Sequence, residues 1–535
     1  MGTLWKNGII YTMQNEGHHV EAVFTENGVI KGLGSSEELE KTDQWTIESV
    51  VDLQQKVMFP GFVDSHMHLI GHGETLMRLD LSSMNTKQEV LKAISEKAGG
   101  LEEGQWVIGE GWNENLWSDA EVITKQEIDN VVPNHPVLLK RICRHAMVVN
   151  SLALTHADID ESTPNPAGGL IERGDQGELN GLLKDKAQDL MIDALPGISS
   201  EYLVEALTKG IESCWEHGLV GGHTEDLSYY GNFKKTYDAF RKTINEDKKK
   251  FRAHLLVHHE VIEDWKEDGH HFLSGNEFIE FGAMKIFADG ALGGRTALLS
   301  YPYADDPSTK GVSIHTSKRL QELVKKARKY ELPIAVHTIG DQAFENVLDA
   351  ITKEPSPHGR RDRLIHAQIL RKELIERIKG LPLILDIQPR FVASDFPWVL
   401  ERLGNENMKY NYAWKTLLEE GIPCAGGSDA PIEPINPLWG IHAAVTRTNP
   451  LDPNKTAYRP EEKLTMYEAI SLFTKGSAFA CHHENNRGQI REGYSADFTV
   501  LEIDPFKEAA DQLLNKVVDM TIVDETIVYK KNESA

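Results

Sequence analysis

From about residue 200 onward, short apolar runs alternate with amphipathic segments. The segment EYLVEALTKGIESCWEHG places Leu203, Leu207, Ile211 and Trp215 on one face of a helix, and Gly218 favours its end. The apolar runs after it are LVGGHTED, FRAHLLVHH, FGAMKIFADG, LPIAVHTIGD, DRLIHAQ, LILDIQPR and IPCAGGSDAP. An earlier run, PGFVDSHMH, brings the number of predicted strands to eight. Eight apolar strands that alternate with helices predict an α/β fold, a (β/α)8 TIM barrel whose parallel strands are buried on both faces.

Both ends of the chain show a different pattern, in which apolar and polar residues alternate. Asn7-Gly8 and Asn27-Gly28 lie between apolar runs, and such dipeptides are the strongest short signal of a β-hairpin. The last residues, from GQIREGYSADFTVLEID to VVDMTIVDETIVYKK, alternate in the same way. Strands at both ends need partners. We therefore expect residues 1–58 and 485–535 to form one small β-sandwich domain.

The barrel is expected to span residues 59–484, with residues 75–200 as an insertion after its first strand. This stretch breaks the strand–helix rhythm and contains GEGWNENLW and the Gly- and Pro-rich STPNPAGGLIERGDQGELNG. Long insertions in strand-to-helix loops of such barrels often shape the substrate pocket. The insertion is expected to fold over the open end of the barrel, and Trp112 is a candidate substrate contact within it.

Composition narrows the class of protein. The chain has 535 residues, 40% of them hydrophobic and 26% charged, and its formal net charge is −25. This charge disfavours nucleic acid and anionic membranes as partners. The four cysteines lie far apart, and neither a signal peptide nor a membrane-spanning run is apparent, so a cytoplasmic location is expected. The expected partner is a small-molecule substrate, and a homodimer is compatible with these numbers.

Polar side chains recur where the apolar runs end. In the first run Asp64, His66 and His68 share a face, because alternate side chains of a strand point the same way. Active sites of (β/α)8 enzymes form at the carboxyl ends of the strands. Imidazoles and a carboxylate are ligands of Zn²⁺, and Mn²⁺, Fe²⁺ and Co²⁺ use the same donors. The predicted metal-site residues are His66, His68, Lys285, His337, His366 and Asp429.

Lys285 is an unusual member of this set, because its strand GAMKIFADG is apolar and burial disfavours the ammonium form. A neutral amine can react with CO₂ to give a carbamate, which is an anion with two oxygen donors. A carboxylated Lys285 would bridge two metal ions, so the cofactor expected is a divalent metal, most often Zn²⁺, in a binuclear site.

The ordered motifs PGFVDSHMH, MKIFADGALGG, AVHTIGD, LIHAQ and GGSDAP resemble the amidohydrolase superfamily, specifically its YtcJ-like branch. The resemblance covers nearly the whole chain and includes the segment with Arg141, His145 and Asn150 and the tail GQIREGYSADFTVL. It implies that His66, His68 and Asp429 bind the more buried metal, that His337 and His366 hold the second, and that carboxylated Lys285 bridges them.

The resemblance and metal chemistry together imply hydrolysis of a non-peptide C–N bond in an N-acyl, amide or cyclic-amide substrate. Asp429 is the expected catalytic residue, first as general base and then as general acid. His145, Gln388 and His223 are, with Trp112, the candidate substrate-binding residues. Asp64 is expected to support a ligand histidine rather than to bind metal.

Two functional alternatives remain open on the sequence alone. An esterase or carbamate hydrolase would use the same site, and a non-catalytic binding protein would retain the fold without turnover. Arg295 and Arg390 could meet a substrate carboxylate or pair with acidic side chains. Adjacent histidine pairs such as His482-His483 are not expected to form a joint site, because neighbouring side chains point apart.

Overall fold

The structure is a computed structural model and describes residues 2–42, 44–114, 117, 121–141, 146–166, 168–195, 197–404 and 407–531. The chain divides into two compact units. Met1–His72 and Leu203–Ala535 form the first, and Gly73–Tyr202 forms the second.

The first unit contains a sheet of eight parallel strands that follow one another in sequence order, which confirms the predicted (β/α)8 architecture. Each strand is nearly all buried, as expected where helices cover the outside and side chains fill the inside. The barrel strands, numbered one to eight along the chain, are Phe62–Met67, Leu219–Thr224, Arg252–His258, Ile279–Phe287, Ile334–Thr338, Asp362–His366, Leu383–Ile387 and Cys424–Gly426.

Amphipathic helices separate these strands. Ser200–Glu216, predicted from its apolar stripe, buries Leu203, Leu207 and Ile211. The helices from the first barrel strand onward in this unit are Leu69–Met77, Ser200–Glu216, Phe233–Thr243, Ile262–Glu267, Ser317–Lys329, Asp341–Lys353, Lys372–Ile378, Phe391–Asp395, Trp398–Leu403, Trp414–Glu419, Pro437–Thr446, Met466–Ser471 and Ser477–Ala480, with short 3-10 turns at Pro460–Glu462 and Ala510–Leu514 and a π-turn at Leu472–Gly476.

The first and eighth strands meet at Gly427, where the absence of a side chain allows the backbones to approach. A Cβ atom at Gly427 would lie 2.7 Å from His66 N and 2.8 Å from Asp64 Oδ1. Just beyond it, Asp429 N donates to His66 O at 2.8 Å and His68 N donates to Ala430 O at 2.8 Å. These bonds fix the loop after the eighth strand against the end of the first.

Two mixed sheets, one from the N-terminal residues alone and one from both ends of the chain, form the additional β-sandwich domain. One contains, in spatial order, Val29–Gly34, Ala22–Glu26, Gly2–Lys6 and Ser49–Asp52. The other contains Thr526–Lys530, Val518–Val523, Phe498–Leu501, Val57–Pro60, Ile9–Tyr11 and His19–Val20. Side chains from both sheets share one apolar core, which includes Trp5, Val23, Met58 and Phe498. Ser36–Lys41 is a short helix in the same region.

The second unit has a six-stranded mixed sheet of its own, in the order Gly169–Arg173, Leu179–Asp185, Ala146–Val149, Val137–Arg141, Val107–Trp112 and Leu79–Asp80. Its helices are Lys87–Ala98, Lys125–Val131, Ser151–His156 and Ala187–Ile192. Across both units, the described helices include none that is long and apolar enough to cross a bilayer.

Candidate metal centre

His66, His68 and Asp429 converge where the first and eighth barrel strands end. The Nε2 atoms of His66 and His68 each lie 3.4 Å from Asp429 Oδ1, and one donor atom from each residue falls within a group spanning 4.8 Å. His66 is 1% exposed, whereas the side chain of His68 is 22% exposed. Asp429 has φ +60°, a left-handed conformation that aspartate tolerates better than most residues.

Asp64 lies beneath these residues and binds backbone groups of both strand ends. Its Oδ1 accepts from His66 N at 3.0 Å, and its carboxylate also accepts from Ser428 N at 3.0 and 3.1 Å. Because the side chain is 1% exposed, burial raises the pKa of Asp64 to about 7. The predicted supporting position of Asp64 agrees with these contacts.

His337 and His366, from the fifth and sixth strands, bring two more imidazoles to the same end of the barrel. Their ring centroids lie 4.4 Å apart, and the His366 ring lies 5.5 Å from that of His66. Gln388 Oε1 accepts from His366 Nδ1 at 2.7 Å, so the Nδ1–H tautomer leaves Nε2 free to coordinate. Gln388 thus contacts a candidate ligand, and its predicted contact with substrate stays a prediction.

Lys285 lies among these residues with a fully buried side chain. Its Nζ forms an ion pair with Glu225, and it lies 4.1 Å from the centroid of the Phe287 ring. Tyr229 OH donates to the other oxygen of Glu225. Sequence reasoning missed Glu225, although it directly follows the second barrel strand, and a position at or near the end of an apolar run was the signal that identified the other site residues.

The electrostatics keep three of the histidines neutral and Asp429 ionised. Burial, followed by the Lys285 charge, holds the pKa of His66 well below its ordinary value. Burial likewise lowers the pKa of His337 well below the ordinary value and that of His366 to about 4. Burial alone would raise the pKa of Asp429, but hydrogen bonding to His68 and neighbouring positive charges outweigh it and lower that pKa.

A cavity of about 310 Å³ opens beside these residues. Its wall is mostly apolar and aromatic, and Gln368 and Asp395 are its polar members beyond the candidate ligands. Asp395 accepts from Tyr412 OH at 2.6 Å and from Gln368 Nε2 at 3.0 Å, and burial raises its pKa to about 7. The cavity is lined by His66, His68, Phe287, Ala291, Leu292, Gly293, His337, Ile339, His366, Gln368, Phe391, Asp395, Trp398, Asp429 and Ile432.

The described lining of this cavity contains neither arginine nor lysine. Arg390 Nε instead donates to Glu433 at 3.2 Å, and Arg295 donates to Asp305 at 2.8 and 3.2 Å. Of the two open alternatives for these arginines, the structure therefore shows pairing with acidic side chains.

Two other predicted substrate contacts, Trp112 and His223, do not line this cavity. Trp112 is 1% exposed in the apolar core of the second unit, where its indole N–H donates to Leu139 O at 2.9 Å. His223 points into a separate cavity beside His254. His145 lies outside the described residues.

The donor set fits a divalent metal. Tetrahedral zinc with bonds of 2.0–2.2 Å places its ligand atoms about 3.3 to 3.6 Å apart. The separations of 3.4 Å from Asp429 Oδ1 to both Nε2 atoms fall in this range. Three neutral imidazoles and an ionised carboxylate are also the protonation states that coordination requires.

Sequence comparisons identify the family to which the chain belongs. The model of the amidohydrolase family matches residues 49–529. The chain is 53% identical over 532 residues to the protein YtcJ of Bacillus subtilis (strain 168), covering 99% of this chain and 100% of the relative. It is 31% identical over 519 residues to the protein LONG AFTER FAR-RED 3 of Arabidopsis thaliana, covering 94% and 87%.

Among solved structures, uncharacterized metal-dependent hydrolases of Pyrococcus horikoshii and Pyrococcus furiosus are similar over almost the whole chain. The first has a TM-score of 0.78 and 27% identity, covering 96% of this chain and 99% of that one. The second has a TM-score of 0.78 and 26% identity, covering 95% and 100%. The chain belongs to the amidohydrolase family, and it shares its fold with metal-dependent hydrolases.

Proposed function

We propose that this hydrolase cleaves the C–N bond of a small, uncharged amide that carries an apolar N-substituent. The observation that carries the proposal is the cavity of about 310 Å³, which joins the candidate metal ligands to an apolar, aromatic wall. A substrate carboxylate would find no cationic side chain in the described lining, and an unpaired buried charge is costly. Ligand sites commonly combine an apolar wall with a few convergent polar groups.

A more distant relative supports the type of bond. The chain is 26% identical over 551 residues to an N-substituted formamide deformylase of Arthrobacter pascens, covering 99% of this chain and 98% of the relative. That name describes removal of an acyl group from a substituted nitrogen. An amide of this kind matches a site with a candidate metal centre beside an apolar wall.

The proposed metal ligands are His66, His68 and Asp429 on one side and His337 and His366 on the other, with carboxylated Lys285 as a bridge between two ions, most readily Zn²⁺. Bound there, a divalent metal would polarise the substrate carbonyl and lower the pKa of water. Asp429, kept ionised by its surroundings, accepts the proton of the attacking water. It then gives that proton to the leaving nitrogen, so that an amine and a carboxylic acid result.

Other side chains position these groups. Gln388 holds the His366 ring through Nδ1, and Asp64 holds the backbone of His66 and Ser428. The rings of Phe287 and Phe391 and the indole of Trp398 line the cavity and would contact the apolar substituent. Their surface also excludes water from the part of the substrate that does not react.

The test is a matched pair of substrates for protein reconstituted with Zn²⁺, Mn²⁺ or Co²⁺. N-benzylformamide and N-formylphenylglycine differ by one carboxylate, and we expect kcat/KM to be at least tenfold higher for the neutral compound. This factor corresponds to about 1.4 kcal/mol, within the cost of leaving a buried polar group unpaired. Asp429→Asn should lower kcat by about 10²- to 10⁴-fold, whereas Asp305→Asn at the surface should not.

Three results would contradict the proposal. Preference for N-formylphenylglycine would overturn the neutral substrate class. Absence of turnover on amides, carbamates and esters by fully metal-loaded protein would instead favour a binding protein, and turnover on esters alone would favour the esterase alternative.

A further inference from the structure

A second group of metal-binding side chains lies in the first unit, separate from the centre described above. One donor atom each from His254, Glu280 and Cys481 lies within a group spanning 4.8 Å, and all three residues are buried. Glu280 is the second residue of the fourth barrel strand, whereas Lys285 lies near the other end of that strand. The two groups share no residue.

His483 contacts the carboxylate of this group, although its donor atom is not among those that lie within 4.8 Å of one another. Its Nε2 lies 2.8 and 2.9 Å from the two oxygens of Glu280, and His254 Nδ1 lies 2.9 Å from Glu280 Oε1. One carboxylate therefore faces two imidazoles, with the thiol of Cys481 beside them. The His482-His483 pair, which was not expected to form a joint site, does not form one, but His483 alone joins this cluster.

His254, Glu280 and Cys481 line a cavity of about 30 Å³. That volume exceeds the 10 to 15 Å³ or so that one water molecule or ion requires. His223, which is 2% exposed, lines the same cavity, and its Nδ1 has no hydrogen-bond partner among the described residues. A polar cavity with an unsatisfied buried nitrogen is a place where an additional polar species would be held.

The arginines near the cluster pair with groups other than Glu280, so the carboxylate of Glu280 remains available to a cation. Arg252 pairs with Asp497 through two bonds of 3.0 Å, and Arg363 pairs with Asp386 at 2.8 Å. Arg487 also lines the cavity and donates to the backbone oxygen of Glu277. Glu280 and the thiolate form of Cys481 would together supply two negative charges, which balance a divalent cation.

We propose that His254, Glu280 and Cys481 bind a divalent cation of the Zn²⁺ type, with His483 moving from its contact with Glu280 to become the fourth ligand, and that this ion has a structural rather than a catalytic role. Sulfur and imidazole donors favour zinc, and four protein ligands leave no open position for a substrate. On binding, Cys481 loses its proton to solvent and its sulfur coordinates the metal. The present spacings of 2.8 to 2.9 Å would widen by about 0.5 Å to reach the ligand separations of tetrahedral zinc.

The ion would connect two parts of the chain that are distant in sequence. His254 and Glu280 belong to the third and fourth barrel strands, and Cys481 and His483 follow the helix Ser477–Ala480. A bound cation would stabilise the attachment of that segment to the barrel, because the unfolded chain does not hold these ligands together.

The experiment is cobalt substitution in a Cys143→Ser background, so that the described Cys214, Cys424 and Cys481 are the remaining cysteines. Protein loaded with Co²⁺ should show the near-ultraviolet charge-transfer band of a cobalt–thiolate bond. The band should persist when His66→Asn and His68→Asn weaken the first centre. Cys481→Ser should remove the band and lower the cobalt content by one ion per chain, while the matched Cys424→Ser should change neither.

A missing thiolate band in fully cobalt-loaded protein would overturn the proposal and leave a hydrogen-bonded His–Glu–His network without metal. Persistence of the band in Cys481→Ser would overturn it as well. If Cys481→Ser does not fold, His483→Gln provides the second test, because loss of a ligand should shift the band and weaken cobalt binding.

Discussion

Lys285 and Glu225 form a buried ion pair beside the histidines of the candidate metal centre. Both side chains are fully buried. In this arrangement the lysine is an ammonium ion held by a carboxylate, whereas the proposed bridge requires the amine to have taken up CO₂. The ammonium is positively charged and the carbamate is negatively charged at the same position. Only the carbamate would bridge two metal ions, so the number of metal ions per chain distinguishes the two states.

If carboxylated Lys285 bridges the metals, Lys285→Ala should contain fewer than two metal ions per chain, because the bridging oxygens are lost. Short carboxylates such as acetate or propionate should restore part of it by occupying the vacated space. Metal analysis of the purified variant with and without propionate measures both effects. Lys87→Ala is the matched control, since Lys87 is also buried and ion-paired but lies in the second unit.

Because Lys285→Ala leaves Glu225 buried without its partner, the double variant with Glu225→Gln separates loss of the bridge from loss of stability. Removing one partner of a buried pair costs about 3 to 5 kcal/mol. Two bound metals in the double variant would contradict the bridging role.

At the scale of single residues, the sequence indicated which side chains could bind a metal, but it did not indicate which neighbouring groups those side chains contact. His66, His68, His337, His366 and Asp429 were recognisable because each lies at or just beyond the end of an apolar run. The positions of Gln388 and Trp112 were not predictable, since a hydrogen bond to a ligand histidine and burial in a separate core depend on packing between distant segments.

The last residue of the sixth barrel strand and the loop after the eighth strand hold candidate ligands in left-handed backbone conformations. His366 has φ +75° and Asp429 has φ +60°. Such conformations are uncommon outside glycine and occur often at functional sites. Gly427 allows the loop that carries Asp429 to rest on His66, because its missing side chain leaves room for backbone contact.

Gly427→Ala should therefore destabilise the fold by about 1 to 3 kcal/mol, the usual cost of overpacking. The added methyl would push Asp429 away from His66 and His68, so metal affinity should fall as well. Thermal unfolding of the apoprotein and a metal titration check the two effects. In Gly100→Ala the new Cβ would meet nothing closer than 3.6 Å, and this control should behave like the wild type.

Turn signals were only partly informative. Asn27-Gly28 joins Ala22–Glu26 to Val29–Gly34 as an antiparallel hairpin, as predicted. Asn7-Gly8 has a similar residue pair and Asn7 also has a positive φ, but the strands on either side of it belong to different sheets. A tight turn fixes the local backbone, whereas the sheet that each strand joins depends on partners far along the chain.

Across the first unit, the buried pair of Arg252 and Asp497 links the third barrel strand to the residue before the sandwich strand Phe498–Leu501. Burial would raise the pKa of Asp497, but the Arg252 charge outweighs it and lowers that pKa. Because the folded-state pKa lies below the unfolded value, the pair stabilises the fold above about pH 4. That stabilisation is lost as the pH falls through the folded-state pKa.

Asp497→Asn should cost about 3 to 5 kcal/mol at neutral pH, because Arg252 is left buried without its counter-ion. Thermal or urea unfolding at several pH values measures the difference from wild type, which should shrink below about pH 4. Arg252→Met combined with Asp497→Asn should recover part of the loss. Asp189→Asn, at an exposed pair with Lys186, should leave the midpoint nearly unchanged, and an equal loss there would contradict a specific role for the buried pair.

The bond between Asp64 and Ser428 joins residues 364 positions apart. During synthesis, at about 5 to 20 residues per second, roughly 20 to 70 s separate the appearance of His66 and His68 from that of Asp429. The nascent chain therefore contains the tripeptide HMH long before Asp429, which supplies the carboxylate of the candidate centre, has been synthesised. Metal captured by that tripeptide alone would be bound weakly and would exchange, so we expect the completed barrel to select the metal.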